Sequence, residues 1–274
     1  MTLTTENFDY VREMVHRDSA IVLAPGKEYL VEARLTPLAR SSGATTVDDF
    51  VARIRVARDL AMRAKVIDAL TTNETSWYRD GDPFTALRNT VLPEIVGRPG
   101  FDGTVRIWSA ACSSGQEPYT IAMEIADMAS GRPLNASILA TDLSPTMVER
   151  TKAGRYSQLE VNRGMPATRL VQHFTREGTE WVVSSRLRSM VRTQTMNLAS
   201  PFGAIGKFDV VFLRNVLIYF DVPTKRQILQ RVRAVMRPNA YLFLGSAEVT
   251  IGVDDGWRRS AAGRSSFYQP ATGA

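Results

Sequence analysis

The chain changes its pattern of hydrophobic and polar positions near residue 100. Before that point apolar residues recur at helical spacing, as in Phe8, Val11 and Val15, which is typical of amphipathic helices. Beyond it, short apolar runs alternate with helical stretches. The runs are VRIWSAA at 105–111, ASILATD at 136–142, VVFLRN at 210–215 and YLFLGS at 241–246. The first part therefore predicts helices, and the second predicts a parallel sheet with helices on both faces.

This change of pattern also predicts the domain organisation. We expect an N-terminal helical domain and linker over 1–80 and a sheet domain over 81–274. Helical stretches at 118–129, 144–154 and 223–236 separate the apolar runs. Between 156 and 190 the alternation stops, and EGTE followed by WVVSS is typical of a hairpin. We interpret this segment as a small β insertion.

Composition narrows the class of protein. The chain has 274 residues, of which 44% are hydrophobic and 23% charged, with one cysteine and two histidines. A single cysteine excludes a disulfide framework and a cysteine-rich zinc site, and two histidines leave little material for a histidine-based metal centre. Neither a signal peptide nor a run of roughly 20 apolar residues is visible. We therefore expect a cytoplasmic protein with no membrane insertion and no metal.

The net charge of +6 is unevenly distributed. Residues 155–192 hold seven arginines and three glutamates, which suits either a solvated face or a surface for an acidic partner. Nucleic acid is poorly supported, because this stretch lacks interleaved aromatic residues. A second basic feature comprises Lys27, Arg34 and Arg40, which we expect near one face of a helix over 27–40 that Pro37 could bend or end.

The first strand runs into a turn of small residues, Ser109 to Gly115, and then into a helix. Small residues let a ligand approach the backbone, and Asp142, 27 residues after Gly115, ends the second strand where ribose hydroxyls are bound in dinucleotide-type folds. The turn lacks both G-x-G-x-x-G and G-x-x-x-x-G-K-[ST]. A nucleoside ligand without phosphate fits better, and S-adenosylmethionine (SAM) is one. Glu117 would face its amino or sulfonium group, or would simply complement the helix dipole.

Five sequence blocks stand out in order. They are TTNETSWYRD (71–80), WSAACSSGQEPYTIAM (108–123), LATDLSPTMVERTKAGRY (139–156), LRNVLIYFD (213–221) and LFLGSAE (242–248). Together they resemble the signature blocks of the CheR family of chemotaxis-receptor glutamate O-methyltransferases, over nearly the whole chain. The resemblance implies an α/β fold, with a Rossmann-like class I SAM-dependent methyltransferase sheet, a small β-hairpin insertion and an all-α N-terminal domain. It also implies methylation of receptor glutamates, with S-adenosylhomocysteine as product, in sensory adaptation.

The resemblance further implies the site residues. Cofactor contacts are carried over to Asn73, Thr75, Arg79, Glu117, Asp142, Asn197, Leu198, Asn215 and Val216. Arg79 and Tyr219 are the polar residues expected beside the transferred methyl group, as the catalytic pair. A surface salt bridge for Arg79 and a core position for Tyr219 are the structural alternatives.

The sequence departs modestly from the family pattern. Trp77 and Tyr78 stand where two phenylalanines are commoner, Ala111 stands where the nucleotide loop usually has glycine, and Gln116 replaces an acid. In the family a longer insertion holds a receptor's C-terminal tail peptide. The hairpin between Phe174 and Trp181 is short, so we expect no such tether.

The sequence leaves two other functions open. A SAM enzyme acting on nucleic acid usually has Asn/Asp-Pro-Pro-Tyr/Phe after the fourth strand, whereas this chain has Asn215-Val-Leu-Ile-Tyr219. A non-catalytic SAM sensor is disfavoured by the presence of both Arg79 and Tyr219. The partner we expect is the cytoplasmic domain of a chemotaxis receptor.

Overall fold

A computed structural model describes residues 3–57, 59–128 and 134–271 of the chain. It divides into two compact units. The helical unit is Met1–Thr72 together with Tyr219–Thr224, and the sheet unit is Asn73–Ile218 together with Lys225–Ala274. No helix of the described segments is both long enough and apolar enough to cross a membrane.

The helical unit is built on the amphipathic stretches that the sequence predicts. Its helices are α1 (Thr5–Ser19), α2 (Glu28–Ser41), α3 (Val47–Ala57) and α4 (Leu60–Leu70). Phe8, Val11 and Val15 of α1 are buried in one cluster with residues of the other three helices. Pro37 does not end α2, which continues to Ser41.

The basic residues of α2 do not share one free face. Arg34 Nη1 donates to the carbonyls of Leu70 and Thr71 at 2.6 and 2.9 Å, and Nη2 donates to Thr72 Oγ1 at 3.0 Å. Arg34 therefore caps the C-terminal end of α4. Arg40 lies six residues further along, about 120° around the helix at 3.6 residues per turn, and is exposed. The expectation that Lys27, Arg34 and Arg40 line one basic face is wrong for this reason.

The sheet unit carries the strands and the remaining helices, except that the first turn of the last helix, 222–224, groups with the helical unit. In chain order the strands are β1 (Thr104–Ala110), β2 (Asn135–Asp142), β3 (Arg155–Ser157), β4 (Phe174–Glu177), β5 (Glu180–Val183), β6 (Val191–Thr195), β7 (Phe208–Leu213), β8 (Met236–Leu244), β9 (Trp257–Ala262) and β10 (Ser265–Pro270). The helices are α5 (Asp82–Ala86), α6 (Leu92–Val96), α7 (Gln116–Met128), α8 (Pro145–Ala153), α9 (Gln158–Val161), α10 (Ala167–His173), α11 (Ser185–Met190) and α12 (Val222–Ala234). A π-helical turn, Leu87–Val91, joins α5 to α6. The helix predicted over 118–129 corresponds to α7, and its last predicted residue, 129, lies outside the described residues.

The main sheet has the strand order β6-β2-β1-β7-β8-β10-β9. Its first five strands are parallel, and β10 and β9 add antiparallel at one edge. Every residue of β7 is buried, as a strand covered on both faces requires. From β1 the chain moves outward to β2 and later β6, then returns to β7 on the other side of β1. This reversal creates the crevice at the carboxyl ends of parallel strands where α/β proteins bind ligands.

The insertion is a separate three-stranded antiparallel sheet with the order β3-β5-β4. Residues 178–179 form the short turn between β4 and β5. Part of its positive charge is neutralised locally, because Arg155 contacts Glu177 and Glu180 at 2.8 and 2.9 Å. Arg186, Arg188 and Arg192 are exposed.

Candidate functional site

The predicted cofactor residues follow the carboxyl ends of neighbouring parallel strands. Glu117 follows β1, Asp142 ends β2, Asn197 and Leu198 follow β6, and Asn215 and Val216 follow β7. Asn73, Thr75 and Arg79 lie in the segment before α5. This segment is tied to the loop after β1, because the Ser113 hydroxyl donates to the Asn73 carbonyl at 2.7 Å. These residues all belong to the sheet unit.

Tyr219 differs from the other predicted site residues in the unit to which it belongs. It ends a 3-10 helix, Leu217–Tyr219, and groups with the helical unit. Its carbonyl accepts the N–H of Val22 at 2.9 Å, and its side chain is partly exposed. A fully buried core position, the structural alternative, does not describe it.

The loop after β1 has an unusual backbone. Ala111 and Ser113 adopt left-handed φ values of 59° and 50°, a conformation that costs an L-residue roughly 1–2 kcal/mol. Gly115 has φ 97°, and a Cβ there would lie 2.8 Å from Tyr156 Oη and 2.9 Å from the Thr151 side chain. Glycine is therefore required at 115. The position where the family usually has glycine, Ala111, is one of the strained ones.

Neighbouring elements hold this loop through its carbonyl groups. Thr151 Oγ1 donates to the Ser113 carbonyl at 2.9 Å, and the Tyr156 hydroxyl donates to the Ser114 carbonyl at 2.8 Å. Burial raises the pKa of Tyr156, so its hydroxyl stays protonated and can donate. The loop is thus a preformed backbone surface at the start of α7.

Cys112 is buried in the same loop. Its N–H donates to the Thr141 carbonyl at 2.9 Å. Burial raises the pKa of the thiol well above its ordinary value, and the neutral thiol is a poor nucleophile. Cys112 therefore fills space beneath the loop.

Asp142 joins the loop to the end of β2. Its side chain is buried, with Oδ2 accepting the Ser113 N–H at 2.8 Å and Oδ1 accepting the Ser144 N–H at 2.9 Å. These bonds fix the carboxylate at the carboxyl edge of the sheet. A carboxylate held in this way is suited to accept hydrogen bonds from ribose hydroxyls.

Glu117 is paired with an arginine that follows β7, the neighbouring strand of β1. Its Oε1 accepts the Ser109 hydroxyl at 2.8 Å, and its Oε2 lies 3.0 Å from Arg214 Nη1. Arg214 Nη2 also donates to the Asp80 carboxylate and to the Arg79 carbonyl, both at 2.8 Å. Sequence reasoning assigned no role to Arg214. The sequence does contain an indication of its role. Arg214 directly follows the apolar run VVFL, and an arginine buried at such a position needs charged or polar partners.

Arg79 lies on a tight turn between two left-handed residues, Tyr78 at φ 49° and Asp80 at φ 65°. Its Nη1 donates to the Glu74 carbonyl at 3.2 Å, and Nη2 lies 3.4 Å from the Glu74 carboxylate. Glu74 is also bound by Arg163 at 2.6 Å. The salt bridge considered as an alternative is therefore present, but it is long, and both side chains are partly exposed.

Glu248 organises the loop after β7. Its Oε2 accepts the N–H groups of Asn215 and Gly245, both at 2.7 Å, and its Oε1 accepts those of Val216 and Leu217 at 2.9 and 2.7 Å. Asn215 itself adopts φ 57°. Glu248 lies in the block LFLGSAE, but the sequence analysis assigns it no role. Its position among polar residues directly after an apolar strand is the feature that could have indicated one.

The remaining predicted residues follow β6. Asn197 Oδ1 accepts the Ala199 N–H at 2.9 Å, and the carbonyl of buried Leu198 accepts from Arg231 Nη1 at 3.1 Å. These contacts fix the backbone of the segment at the sheet edge.

The donor set fits SAM better than a phosphorylated nucleotide. Glu117 and Asp142 are acids of the kind that bind an ammonium and a ribose diol, Leu198 supplies apolar surface, and the loop after β1 consists of small residues. No group of three or more metal-ligating side chains occurs within residues 3–57, 59–128 and 134–271.

Comparison with known proteins agrees with this chemistry. A family model described as the CheR methyltransferase SAM-binding domain matches residues 73–264, and one described as the CheR methyltransferase all-alpha domain matches residues 6–71. A chemotaxis protein methyltransferase of Pseudomonas putida is 40% identical over 275 residues, covering 97% of this chain and 99% of that protein. One from Pseudomonas aeruginosa is 40% identical, covering 93% and 94%. The Escherichia coli protein is 31% identical, covering 90% and 86%.

The family models cover most of the chain, and the relatives match it along most of their own length. SAM is accordingly the methyl donor of this protein. The chain belongs to the CheR methyltransferase family and is a SAM-dependent methyltransferase of chemotaxis, with the glutamate O-methylation activity of that family.

Proposed function

We propose that this enzyme methylates glutamate side chains in the cytoplasmic domain of chemotaxis receptors, with Arg79 orienting the glutamate and Tyr219 donating a weaker hydrogen bond. The observation that carries the proposal is the state of Arg79. Its turn is fixed by neighbouring groups, whereas its guanidinium is held by a long, partly exposed ion pair. A guanidinium held in this way is free to exchange Glu74 for a substrate carboxylate.

The energetics of this exchange are favourable. Exposed ion pairs contribute roughly 0–1 kcal/mol, so releasing Glu74 costs little. Glu74 keeps Arg163 as a partner at 2.6 Å. Arg79 thereby gains the substrate without leaving an uncompensated charge behind.

Methyl transfer to a glutamate requires correct orientation of the carboxylate more than acid–base catalysis. Bound SAM supplies a methyl group on a sulfonium centre. A glutamate with an ordinary pKa of about 4.3 is already ionised at neutral pH, so no general base is needed. Because both reactants lose charge as the ester forms, a tight clamp on the carboxylate would stabilise the reactants. Arg79 therefore contributes mainly by aligning the carboxylate oxygen.

The cofactor contacts form part of the same proposal. Asp142 binds the ribose hydroxyls, Glu117 binds the amino group, and Asn197 with Leu198 borders the adenine. Asn73, Thr75, Asn215 and Val216 complete the site. Support comes from the common position of these residues at the carboxyl ends of the parallel strands and in the segment tied to Ser113.

The test is incubation with methyl-labelled SAM and a receptor cytoplasmic fragment, scored as base-labile methanol. We expect Arg79→Ala to lower kcat by about a hundredfold while changing S-adenosylhomocysteine affinity by less than about threefold. Tyr219→Phe should cost roughly 0.5–1.5 kcal/mol, the value of one neutral hydrogen bond. Arg192→Ala, an exposed arginine after α11, is the matched control.

Two outcomes contradict the proposal. The absence of base-labile product with the wild-type enzyme would exclude glutamate esterification of that receptor. Equal losses of product affinity and turnover in Arg79→Ala would assign Arg79 to the cofactor instead.

We further propose that acidic receptor helices contact exposed cations of the helical unit, with Arg40 as a principal contact. Arg40 is exposed in the last turn of α2, whereas Arg34 has a structural role. Arg40→Glu should therefore lower kcat/KM for the receptor by about three- to tenfold at low salt and leave S-adenosylhomocysteine affinity intact. Arg17→Glu is the control, because Arg17 is exposed but already contacts Asp18 at 2.6 Å.

The effect of Arg40 should shrink as salt rises, since the Debye length is about 8 Å at 0.15 M. Full activity of Arg40→Glu at low salt would exclude this contact. A receptor tail peptide should not bind tightly, because the β4–β5 connection is only a short turn. Micromolar peptide binding would contradict that part of the proposal. Receptor cytoplasmic domains as substrates also imply a cytoplasmic enzyme.

A further inference from the structure

Arg214 is a buried cation at the carboxyl end of β7, and the reaction described above does not use it. Its side chain is 2% exposed and follows β7 directly. The guanidinium carbon lies 5.4 Å from the centre of the Phe84 ring. Buried arginines are retained where they are paired, so the partners indicate what this one does.

The partners of Arg214 come from two different parts of the site. On one side is Glu117, the acid proposed to bind the cofactor amino group, at 3.0 Å. On the other side are the Asp80 carboxylate and the Arg79 carbonyl, both at 2.8 Å. One planar guanidinium therefore bridges the cofactor side and the turn that carries the substrate-orienting arginine.

The chemistry of this bridge requires arginine. A guanidinium presents five donors in a fixed fork and reaches separate acceptors at once, whereas an ammonium is a compact point charge. Lysine at 214 would preserve the charge, but it would not hold both acids in the same geometry.

The turn has a structural need for this support. Tyr78 and Asp80 both adopt left-handed φ values, which are unfavourable for non-glycine residues. Such a turn persists where surrounding groups fix it. Arg214 binds two consecutive residues of the turn, so its loss would let Arg79 move.

We propose that Arg214 is a positioning residue that keeps the Arg79 turn in register with Glu117, so that the substrate carboxylate and the methyl donor are aligned. This inference rests on the proposed function for the effect on turnover. The contacts of Arg214 with the turn and its contact with Glu117 should have separate consequences. The contact with Asp80 controls turnover, and the contact with Glu117 controls cofactor affinity.

Substitutions of each partner test this separation. Asp80→Asn keeps the shape of the side chain and weakens the ion pair between Arg214 and the turn. We expect kcat at saturating SAM to fall by about tenfold, while S-adenosylhomocysteine affinity, measured by calorimetry, stays within about twofold of the wild-type value. Glu117→Gln should instead weaken that affinity by about tenfold. Arg214→Lys should lower both, and adding Asp80→Asn to it should lower kcat little further, because the tie is already lost.

The control is Arg237→Lys, since Arg237 contacts the buried acid Asp209 at 3.2 Å but belongs to β8. It should change neither quantity. If Arg214→Lys fails to fold, Asp80→Asn still decides the question, because the Asp80 side chain is 38% exposed and its substitution leaves Arg214 paired with Glu117. Wild-type kcat in Asp80→Asn, or additive losses in the double variant, would overturn the proposal.

A readout independent of turnover separates this inference from the proposed function. Trypsin cleaves after arginine in mobile segments. Cleavage after Arg79 should be about tenfold faster in Asp80→Asn than in the wild type, with each rate divided by that of the same bond in the urea-unfolded chain to remove the direct effect of residue 80 on trypsin. If the wild type esterifies no receptor glutamate, the proposed function fails while faster cleavage still supports Arg214 as the residue that holds the turn. Unchanged cleavage would overturn that role.

Discussion

The loops after β1 and after β7 both present backbone to the same crevice, but they are held in opposite ways. The loop after β1 is supported from several elements, through Asp142, Thr151 and Tyr156. The loop after β7 has the N–H groups of Asn215, Val216 and Leu217 gathered on one carboxylate, that of Glu248. Support is distributed in the first loop and concentrated in the second.

The difference follows from which backbone groups need partners. In the loop after β1 the groups find separate partners. The Ser113 N–H donates to Asp142, and the Ser113 and Ser114 carbonyls accept from the hydroxyls of Thr151 and Tyr156. In the loop after β7, several N–H groups converge on one point, and a carboxylate with about four acceptor positions satisfies them together. We expect the first loop to tolerate the loss of any one supporting side chain and the second to depend on one residue.

The largest effect should come from Glu248. Glu248→Gln replaces one carboxylate oxygen with an NH2 group that faces N–H donors, so about two backbone N–H groups lose their acceptor. We expect a loss of about 3 kcal/mol in unfolding free energy and at least about tenfold weaker S-adenosylhomocysteine binding. Urea unfolding and calorimetry measure the two.

Glu149→Gln is the control for this prediction, because its carboxylate is exposed and lies 3.9 Å from Lys152. It should change stability by less than about 0.5 kcal/mol. A Glu248→Gln protein as stable as Glu149→Gln would show that support of the β7 loop is not concentrated on this acid.

Single changes in the loop after β1 should be milder. Tyr156→Phe and Thr151→Val each remove one hydrogen bond to a loop carbonyl, and each should cost about 1 kcal/mol. The double variant should be close to additive if the supports are independent. Labelling of Cys112, the one cysteine of the chain, should report loop opening, with a rate that rises in both variants and falls when S-adenosylhomocysteine is bound. A loss in either single variant as large as that of Glu248→Gln would remove the distinction between the two loops.

The smallest effect concerns backbone strain. Ala111→Gly relieves a left-handed alanine at φ 59°, a gain of about 1–2 kcal/mol. The greater chain entropy of glycine offsets about 0.5–1 kcal/mol of it. We expect a net stabilisation of about 0.5–1 kcal/mol by thermal unfolding, with unchanged S-adenosylhomocysteine affinity. Destabilisation would show that the Ala111 methyl group packs usefully.

Much of the fold follows from the sequence, and the exceptions have identifiable reasons. The apolar runs predicted β1, β2, β7 and β8, because strands buried on both faces must be almost continuously apolar. The antiparallel edge strands β9 and β10 were missed. Trp257–Ala262 contains two adjacent arginines and has a largely exposed pattern, so its strand character depends on pairing with β10 rather than on its own hydrophobicity.

The predicted α2 illustrates the same limit for side chains. A helix over 27–40 was considered that Pro37 could bend or end, and α2 extends over Glu28–Ser41. The fate of Arg34 depended on the end of α4, which lies more than thirty residues away. Helical periodicity shows which residues face solvent or core, but it does not show which distant carbonyl will take up a cation.

The sequence by itself determined the family, the cofactor class and the residues at the ends of the parallel strands, because these rest on local patterns and ordered motifs. Only the tertiary structure decided how those residues are held. Arg214 meets Glu117 across 97 positions and Asp80 across 134, and Glu248 gathers N–H groups that follow a different strand. Such contacts arise where the return of the chain to β7 brings separate loops to one edge, and the bonds between them depend on three-dimensional distances that spacing along the chain does not encode.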